Sequence, residues 1–147
     1  MQTENTIIMR SPIGRVFDLA ADVSRWPEIL PHYRWVRTHW RDGDTSVVEM
    51  AACRSGIPVK WTSVQRLSRE TNSIFYKHIG GLTRGMWVEW RMEPVEDGTR
   101  VTIIHDLMLL VPIVRSLLGK WITGEVFVKH VADETLRHMK SAAEGSL

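Results

Sequence analysis

Cysteine, long apolar runs and net charge are all scarce in this chain of 147 residues. The single cysteine, Cys53, excludes an intramolecular disulfide and any zinc site built from several cysteines. We expect Cys53 to be a small buried hydrophobe, because nothing near it in sequence supplies an activating base. The longest apolar run, residues 107–114, contains Pro112 and is far shorter than the ~18 residues that span a bilayer.

The small net charge and the N-terminal sequence set further expectations. A formal net charge of +2 is too small to demand nucleic acid or an anionic membrane as partner. The first residues, MQTEN, carry no secretion signal, so we expect a cytoplasmic protein without a transmembrane segment. With 44% hydrophobic residues and neither repeats nor linkers, residues 1–147 are expected to form one domain. Seven tryptophans suit pockets and interfaces as well as cores.

Two short helices are predicted after a first strand. Ser11 and Pro12 provide an N-cap and a proline at the first helical position, and an apolar stripe follows over residues 16–20. A second short helix is predicted through residues 26–30, where Pro31 ends it.

The middle of the chain alternates between strand-like segments and turn signals. The turn signals are DGD at 42–44, SGIP at 55–58, ETN at 70–72, GG at 80–81 and DG at 97–98. Successive strands without a helical pattern between them favour antiparallel pairing, and with the first strand they make a sheet of about seven strands.

One long C-terminal helix is predicted, because apolar residues recur at helical spacing from Val114 to Ala143. Gly119 and Gly124 each cost about 1 kcal/mol in a helix interior, so we expect a bend or break between them. Only this helix is long enough to cover a sheet face, so an α+β fold with the sheet curved around the helix is expected. Such a sheet leaves unfilled volume, and a mostly apolar pocket is the default site.

Three segments carry a family resemblance: DVSRWPEILP at 22–31, GMW at 85–87 and GTRV at 98–101. They resemble the polyketide cyclase/dehydrase and coenzyme Q-binding branch of the START-like (SRPBCC) superfamily, which has the helix-grip fold. The resemblance covers nearly the whole chain. It implies a hydrophobic cavity between the curved sheet and the last helix that binds lipid-like, isoprenoid or quinone, or polyketide-type molecules. Some relatives catalyse cyclisation or dehydration, some only carry ligand, and one bacterial branch is ribosome-associated.

His105 is the first candidate for acid/base chemistry. It shares strand parity with Val101 and Ile103 and should therefore face the interior. An imidazole can act as a general acid or base near neutral pH, because its unperturbed pKa is ~6.5. A hydrogen-bonded core histidine is the simpler interpretation.

Glu89 is the second candidate, and its position depends on the register of its strand. Periodicity places the even-numbered residues of 86–92 inside, whereas the Gly-x-Trp pattern of the resemblance places Trp87 and Glu89 inside. We favour the second register, because a ligand cavity tolerates a polar group that a dry core would penalise by ~1–3 kcal/mol. Glu89 would then lie across from His105 as a carboxylate–imidazole pair.

The predicted pocket wall consists of aromatic, histidine and apolar residues at inward positions. Tyrosine and tryptophan combine a large apolar body with one polar atom, which orients a ring-bearing ligand, although core packing explains each one equally well. The predicted ligand-binding residues are Trp61, Tyr76, His78, Trp87, Glu89, His105, Leu107, Leu117, Trp121, Val128 and Val131.

No metal or other cofactor is predicted. His130, Glu134 and His138 follow one helical line at intervals of four, but the paired His-Glu-x-x-His arrangement is absent and charged residues are interleaved. A solvated helix face is the better interpretation.

Nucleic acid or the ribosome is not favoured as a partner either. Arginine and tryptophan are adjacent at 34–35, 40–41 and 90–91, and cations beside stacking rings are typical of nucleic-acid binding. Adjacent residues of a strand point to opposite faces, however, so these pairs predict charge outside and ring inside.

Three functions remain open. The leading hypothesis is a binder of a lipid-like or polycyclic small molecule, held by apolar contacts and a few polar anchors. The first alternative is a polyketide aromatase/cyclase or dehydratase, in which Glu89 and His105 transfer protons in the same cavity. The second is a ribosome- or protein-interaction module. The sequence leaves open whether the protein is an enzyme.

Overall fold

The computed structural model describes residues 2–54, 56–81, 83–106 and 127–145. The strands are β1 (Gln2–Met9), β2 (Tyr33–Asp42), β3 (Thr45–Arg54), β4 (Ile57–Ser68), β5 (Ser73–Gly81), β6 (Trp87–Val95) and β7 (Gly98–Asp106). The helices are α1 (Ile13–Ala21), α2 (Trp26–Ile29) and α3 (Phe127–Gly145), with a 3-10 turn (Val23–Arg25) before α2.

These strands form one antiparallel sheet in the order β1-β7-β6-β5-β4-β3-β2. Strands β2 to β7 follow one another as a meander, and β1 pairs with β7 at the far edge. The predicted number of strands, their antiparallel pairing and the two short helices are therefore confirmed. The meander forms because each predicted turn is too short for a crossover connection.

The Gly80-Gly81 pair differs from its prediction as a turn. Both glycines are the last residues of β5, and the pairing with β4 shifts beside them. Gly81 has φ +96°, and a Cβ atom there would lie 2.5 Å from the carbonyl oxygen of Lys60. Glycine is therefore needed for close approach of two strands at this irregular point of the sheet, while the turn itself follows.

Helix α3 covers one face of the sheet. Its buried apolar residues are Val128, Ala132, Leu136, Met139 and Ala143, which recur every three or four positions. The predicted segment from Val114 and the break between Gly119 and Gly124 lie outside the described residues. Within the described ranges, no helix is long and apolar enough to cross a membrane.

Polar contacts fix α3 against β1 and α1. Lys140 Nζ donates to the carbonyl oxygen of Ile8 at 2.9 Å, and Asn5 Nδ2 donates to that of Lys129 at 3.2 Å. Arg15 Nε donates to the carbonyl oxygen of Ala143 at 3.1 Å. The last of these satisfies a carbonyl group that a helix end leaves without an internal partner. The helix is thereby held along the β1 edge of the sheet.

Candidate functional site

A cavity of about 80 Å³ lies between the inner face of the sheet, the start of β2 and the first half of α3. Its walls are largely apolar and aromatic, with a few hydroxyl and imidazole groups. The described residues that line it are Trp26, Tyr33, Met50, Ala52, Val59, Trp61, Tyr76, His78, Thr83, Met86, Val88, Trp90, Ile103, His105, Val128, Val131, Ala132 and Thr135.

Aromatic rings form one side of this cavity. Trp26 packs edge-on against Tyr33 with ring centroids 5.1 Å apart and tilts over Trp90 at 5.6 Å. Trp61 stacks on His78, with centroids 5.6 Å apart and an interplanar angle of 6°. These rings present flat apolar faces and few polar atoms, a surface that suits a planar guest.

Three adjacent strands place alternating polar and apolar side chains across the cavity floor. Tyr76 on β5 pairs with Val88 on β6, and Val88 pairs with His105 on β7. Neighbouring strands lie ~4.8 Å apart, so the backbones at Tyr76 and His105 are separated by ~10 Å with Val88 between them. A guest resting on Val88 therefore has one polar group on each side.

His105 has no hydrogen-bond partner for Nδ1 among the described residues, although this atom is buried. Burial lowers the pKa of His105 to about 4. Water is removed from around the ring, which disfavours its charged form. At neutral pH His105 is therefore an uncharged imidazole, which can donate one hydrogen bond and accept another.

The Nδ1 atom of His78 has a hydrogen-bond partner, which that of His105 lacks among the described residues. This atom lies 2.7 Å from the hydroxyl oxygen of Thr83, and the His78 ring stacks on Trp61. Burial, and to a smaller extent the neighbouring His105, lowers the pKa of His78 to about 3. Two neutral histidines therefore lie close together on the cavity wall.

Tyr76 and Tyr33 supply the phenolic groups of the cavity. Burial raises the pKa of each hydroxyl well above its usual range, so both remain protonated at any physiological pH. The Tyr76 hydroxyl accepts a hydrogen bond from Gln65 Nε2 at 3.1 Å. His32 Nε2 lies 2.8 Å from the Thr135 hydroxyl, which in turn donates to the carbonyl oxygen of Val131 at 2.8 Å.

Residues 9–140 match the model of the family described as polyketide cyclase/dehydrase and lipid transport. The chain belongs to this family. It is 28% identical over 145 residues to the granaticin polyketide synthase bifunctional cyclase/dehydratase of Streptomyces virginiae, covering 97% of this chain and 44% of that protein. The chain therefore spans less than half the length of this relative.

Two solved structures share the fold over nearly the whole chain. The Zhui aromatase/cyclase of a Streptomyces species superposes with a TM-score of 0.83 at 20% identity, covering 97% of this chain and 93% of that one. A START superfamily protein of Mycobacterium smegmatis superposes with a TM-score of 0.71 at 18% identity, covering 98% and 94%. The predicted helix-grip fold and the family resemblance are confirmed.

Six of the residues predicted to bind ligand line this cavity, and one of them is the catalytic candidate His105. The six are Trp61, Tyr76, His78, His105, Val128 and Val131. Their role in binding stays a prediction. Leu107, Leu117 and Trp121 lie outside the described residues.

The favoured register of β6 is wrong, and with it the inward placement of Trp87 and Glu89. Trp87 is 49% exposed, and Lys77 Nζ lies 4.9 Å from the centroid of its ring. Glu89 pairs on the outer face with Arg91, with Nε and Oε2 2.6 Å apart. Simple alternation decided this strand, because Val88 and Trp90 bury more apolar surface than Trp87 and Glu89 would. The polyketide cyclase/dehydrase pattern therefore does not bring a carboxylate to His105 in this chain.

The prediction of charge outside and ring inside holds for one of the Arg-Trp pairs and fails for another. Trp90 is buried and Arg91 is exposed, as expected. Trp40 is 51% exposed, because β2 is an edge strand whose second half is exposed on both faces. Cys53 is half-buried and not fully buried as predicted.

The prediction omitted several residues of the cavity. Trp26 lies in α2, where strand parity does not apply, and Tyr33 is the first residue of β2, ahead of a register shift between Tyr33 and Trp35 that interrupts the alternation. Thr135 lies one helical turn beyond Val131, and helical spacing could have found it.

The helical line of His130, Glu134 and His138 contains contacts between side chains of α3. Glu134 lies 2.9 Å from Arg137 and 3.4 Å from His138. Among the described residues no cluster could hold a metal ion.

Proposed function

We propose that this protein binds a hydrophobic, ring-bearing small molecule of the lipid-like, isoprenoid or quinone, or polyketide type in the cavity. One observation carries the proposal: two buried polar atoms of the cavity-lining residues, His105 Nδ1 and Trp26 Nε1, have no hydrogen-bond partner among the described residues. A buried polar group without a partner costs ~1–3 kcal/mol. A ligand oxygen beside either atom would recover that loss.

The apolar walls support the same function. A guest gains about 25 cal/mol for each Å² of apolar surface that it removes from water, and the stacked rings offer large areas of this kind. The cavity of 80 Å³ is small beside typical ligand pockets of ~300–1,000 Å³. Even a one-ring guest therefore requires movement of wall side chains, because an apolar cavity that binds one benzene measures ~150 Å³.

The catalytic alternative is a polyketide cyclase or dehydratase, and the family match over residues 9–140 favours it. Burial lowers the pKa of His78 to about 3 and that of His105 to about 4, so both imidazoles are weak bases, and a bound substrate would have to raise these values before either ring could remove a proton. Among the described lining residues there is no carboxylate, so acid/base work would fall to imidazole and phenol groups. Much of the rate enhancement would then come from confining a reactive chain in one folded conformation.

Binding is tested by native mass spectrometry and by NMR titration with menadione, a two-ring quinone. We expect a co-purifying adduct, and menadione-induced shifts of resonances from the cavity. Val88→Phe fills the floor between the two polar groups and should weaken menadione binding at least tenfold. Val47→Phe, on the opposite face of β3, is the matched control and should bind normally. Absence of both an adduct and menadione binding to the wild-type protein would overturn the proposal.

Turnover is tested separately with a linear poly-β-ketone thioester as substrate. Loss of product formation in His105→Phe with retained menadione binding would support the enzyme. Menadione binding without any product from the wild-type protein would support the carrier.

A further inference from the structure

Gln65 is a buried polar residue outside the cavity wall whose contacts determine what the Tyr76 hydroxyl can do. Its side chain is 1% exposed, and Nε2 donates at 3.1 Å both to the carbonyl oxygen of Ala21 and to the hydroxyl oxygen of Tyr76. A backbone carbonyl oxygen can only accept a hydrogen bond. The group that faces Ala21 must therefore be the amide NH₂, which fixes the orientation of the whole side chain.

With Gln65 in this orientation, the Tyr76 hydroxyl is left as a hydrogen-bond donor toward a guest. The two hydrogens of Gln65 Nε2 go to Ala21 and Tyr76, so the Tyr76 oxygen is an acceptor toward Gln65. Its own hydrogen has no acceptor among the described residues. Tyr76 is 4% exposed and lines the cavity, so a guest beside it would provide the acceptor that this hydrogen lacks.

A second unpaired donor lies next to Tyr76. The ring centroids of Trp26 and Tyr76 are 6.3 Å apart, and Trp26 is 3% exposed. Trp26 Nε1 is a donor that can never accept, and it has no partner in the part of the chain that the structure describes. Two adjacent rings of the cavity lining therefore each carry a donor without a partner among the described residues.

We infer that Gln65 is a positioning residue that makes Tyr76 a hydrogen-bond donor, so that the cavity selects a guest with a carbonyl oxygen beside Tyr76 and Trp26 over one with a hydroxyl. This inference rests on the proposed ligand binding and names the chemical class recognised. A carbonyl oxygen has two lone pairs with which to accept from these donors. A hydroxyl can accept as well, but its own hydrogen finds a poor acceptor in the Tyr76 oxygen, which already accepts from Gln65.

The test compares a ketone with its alcohol on the same carbon skeleton. Acetophenone and 1-phenylethanol are single-ring probes suited to a small cavity, and NMR titration measures the dissociation constant of each. We expect the wild-type protein to bind acetophenone about tenfold more tightly than either enantiomer of 1-phenylethanol. The Trp26 indole N–H resonance, assigned with Trp26→Phe, should shift with the ketone and much less with the alcohol.

Gln65→Met distinguishes positioning from simple contact. This variant keeps Tyr76 but frees its hydroxyl to rotate and accept, so the ketone preference should fall to about twofold. Tyr76→Phe should reduce the preference by a similar factor. Ser63→Ala is the matched control, because Ser63 is a buried polar residue two positions away on β4 that does not line the cavity. Its ketone preference should equal that of the wild-type protein.

The outcomes separate the two proposals. Equal affinity of the wild-type protein for ketone and alcohol would overturn the inference and leave ligand binding intact. A full ketone preference in folded Gln65→Met would overturn the positioning role. If Gln65→Met does not fold, the inference is tested by the ketone preference of Tyr76→Phe and by the shift of the Trp26 indole N–H resonance with ketone and with alcohol. An unchanged ketone preference in Tyr76→Phe would overturn it. Failure of the wild-type protein to bind either probe or menadione would overturn the proposed function and this inference with it.

Discussion

The two faces of β6 place the same residue type in opposite environments. Trp90 is 3% exposed and packs against Trp26 over the cavity, whereas Trp87, three residues earlier, is 49% exposed beside Lys77. The sheet is covered by α3 on one face only, so strand parity decides which ring is buried. A tryptophan therefore indicates a pocket only after its face is known.

Removing each ring in turn should give the largest contrast between the two faces. Trp90→Ala should lower the free energy of unfolding by about 3–5 kcal/mol, because it leaves a void beneath Trp26. Trp87→Ala should cost under ~1 kcal/mol, because only an exposed cation–π contact is lost. Urea denaturation of both variants measures this difference. Similar losses in the two variants would contradict the assignment of faces.

Acidification should lower the free energy of unfolding through the two buried histidines of the inner face. His78 and His105 have pKa values of about 3 and about 4 in the folded protein, against 6.5 when unfolded. Below pH 6.5 the unfolded chain binds more protons than the folded one, so the free energy of unfolding falls as pH falls toward 4. Each histidine contributes up to about 1.4 kcal/mol per pH unit in this window.

Urea denaturation between pH 7 and pH 4 checks the prediction with two variants. His78→Asn keeps a nitrogen near Thr83 and should flatten the dependence on pH. His39→Asn changes a histidine whose side chain is 51% exposed, and its profile should follow that of the wild-type protein. Wild-type stability that is independent of pH from 6.5 to 4.5 would contradict burial of two neutral imidazoles.

Removal of a polar side chain should give a smaller difference in ligand binding between the cavity residue His105 and the exposed residue His39. His105→Phe keeps a ring of similar shape and removes Nδ1, so menadione should bind about fivefold more weakly, the equivalent of one ordinary hydrogen bond. His39→Phe should have no effect on binding. NMR titration provides both constants. An unchanged dissociation constant in His105→Phe would assign this histidine to packing alone.

Glu89→Gln should have the smallest effect of all. The Glu89–Arg91 ion pair lies on the outer face, and exposed pairs contribute little to stability because solvent screens them. Stability, menadione binding and any turnover should therefore match the wild-type protein within error. A loss of turnover in Glu89→Gln would return this carboxylate to the catalytic site and contradict the register of β6.

Local patterns were sufficient for the elements, because their signals lie within a few residues. The Ser-Pro pair at 11–12 located the start of α1, although Pro12 and not Ser11 is the N-cap and the Ser11 hydroxyl makes no capping hydrogen bond among the described residues. The Asp-Gly turns separated the strands. Parity placed His105, Tyr76 and His78 on the inner face. The register of β6 was predicted wrongly, because the family pattern was preferred over simple alternation there. Neither pattern measures the apolar area that Val88 and Trp90 bury together.

The sequence by itself determined a meander of amphipathic strands, two short helices and a terminal helix with one apolar face, because side-chain periodicity and turn chemistry are local. Only the tertiary structure decided which polar atoms meet. Gln65 and Ala21 are separated by 44 residues, and their hydrogen bond orients the amide that faces Tyr76. Trp26 comes to the same cavity from a segment without parity. Contacts of this kind depend on how the sheet curves around α3, which no short stretch of sequence specifies.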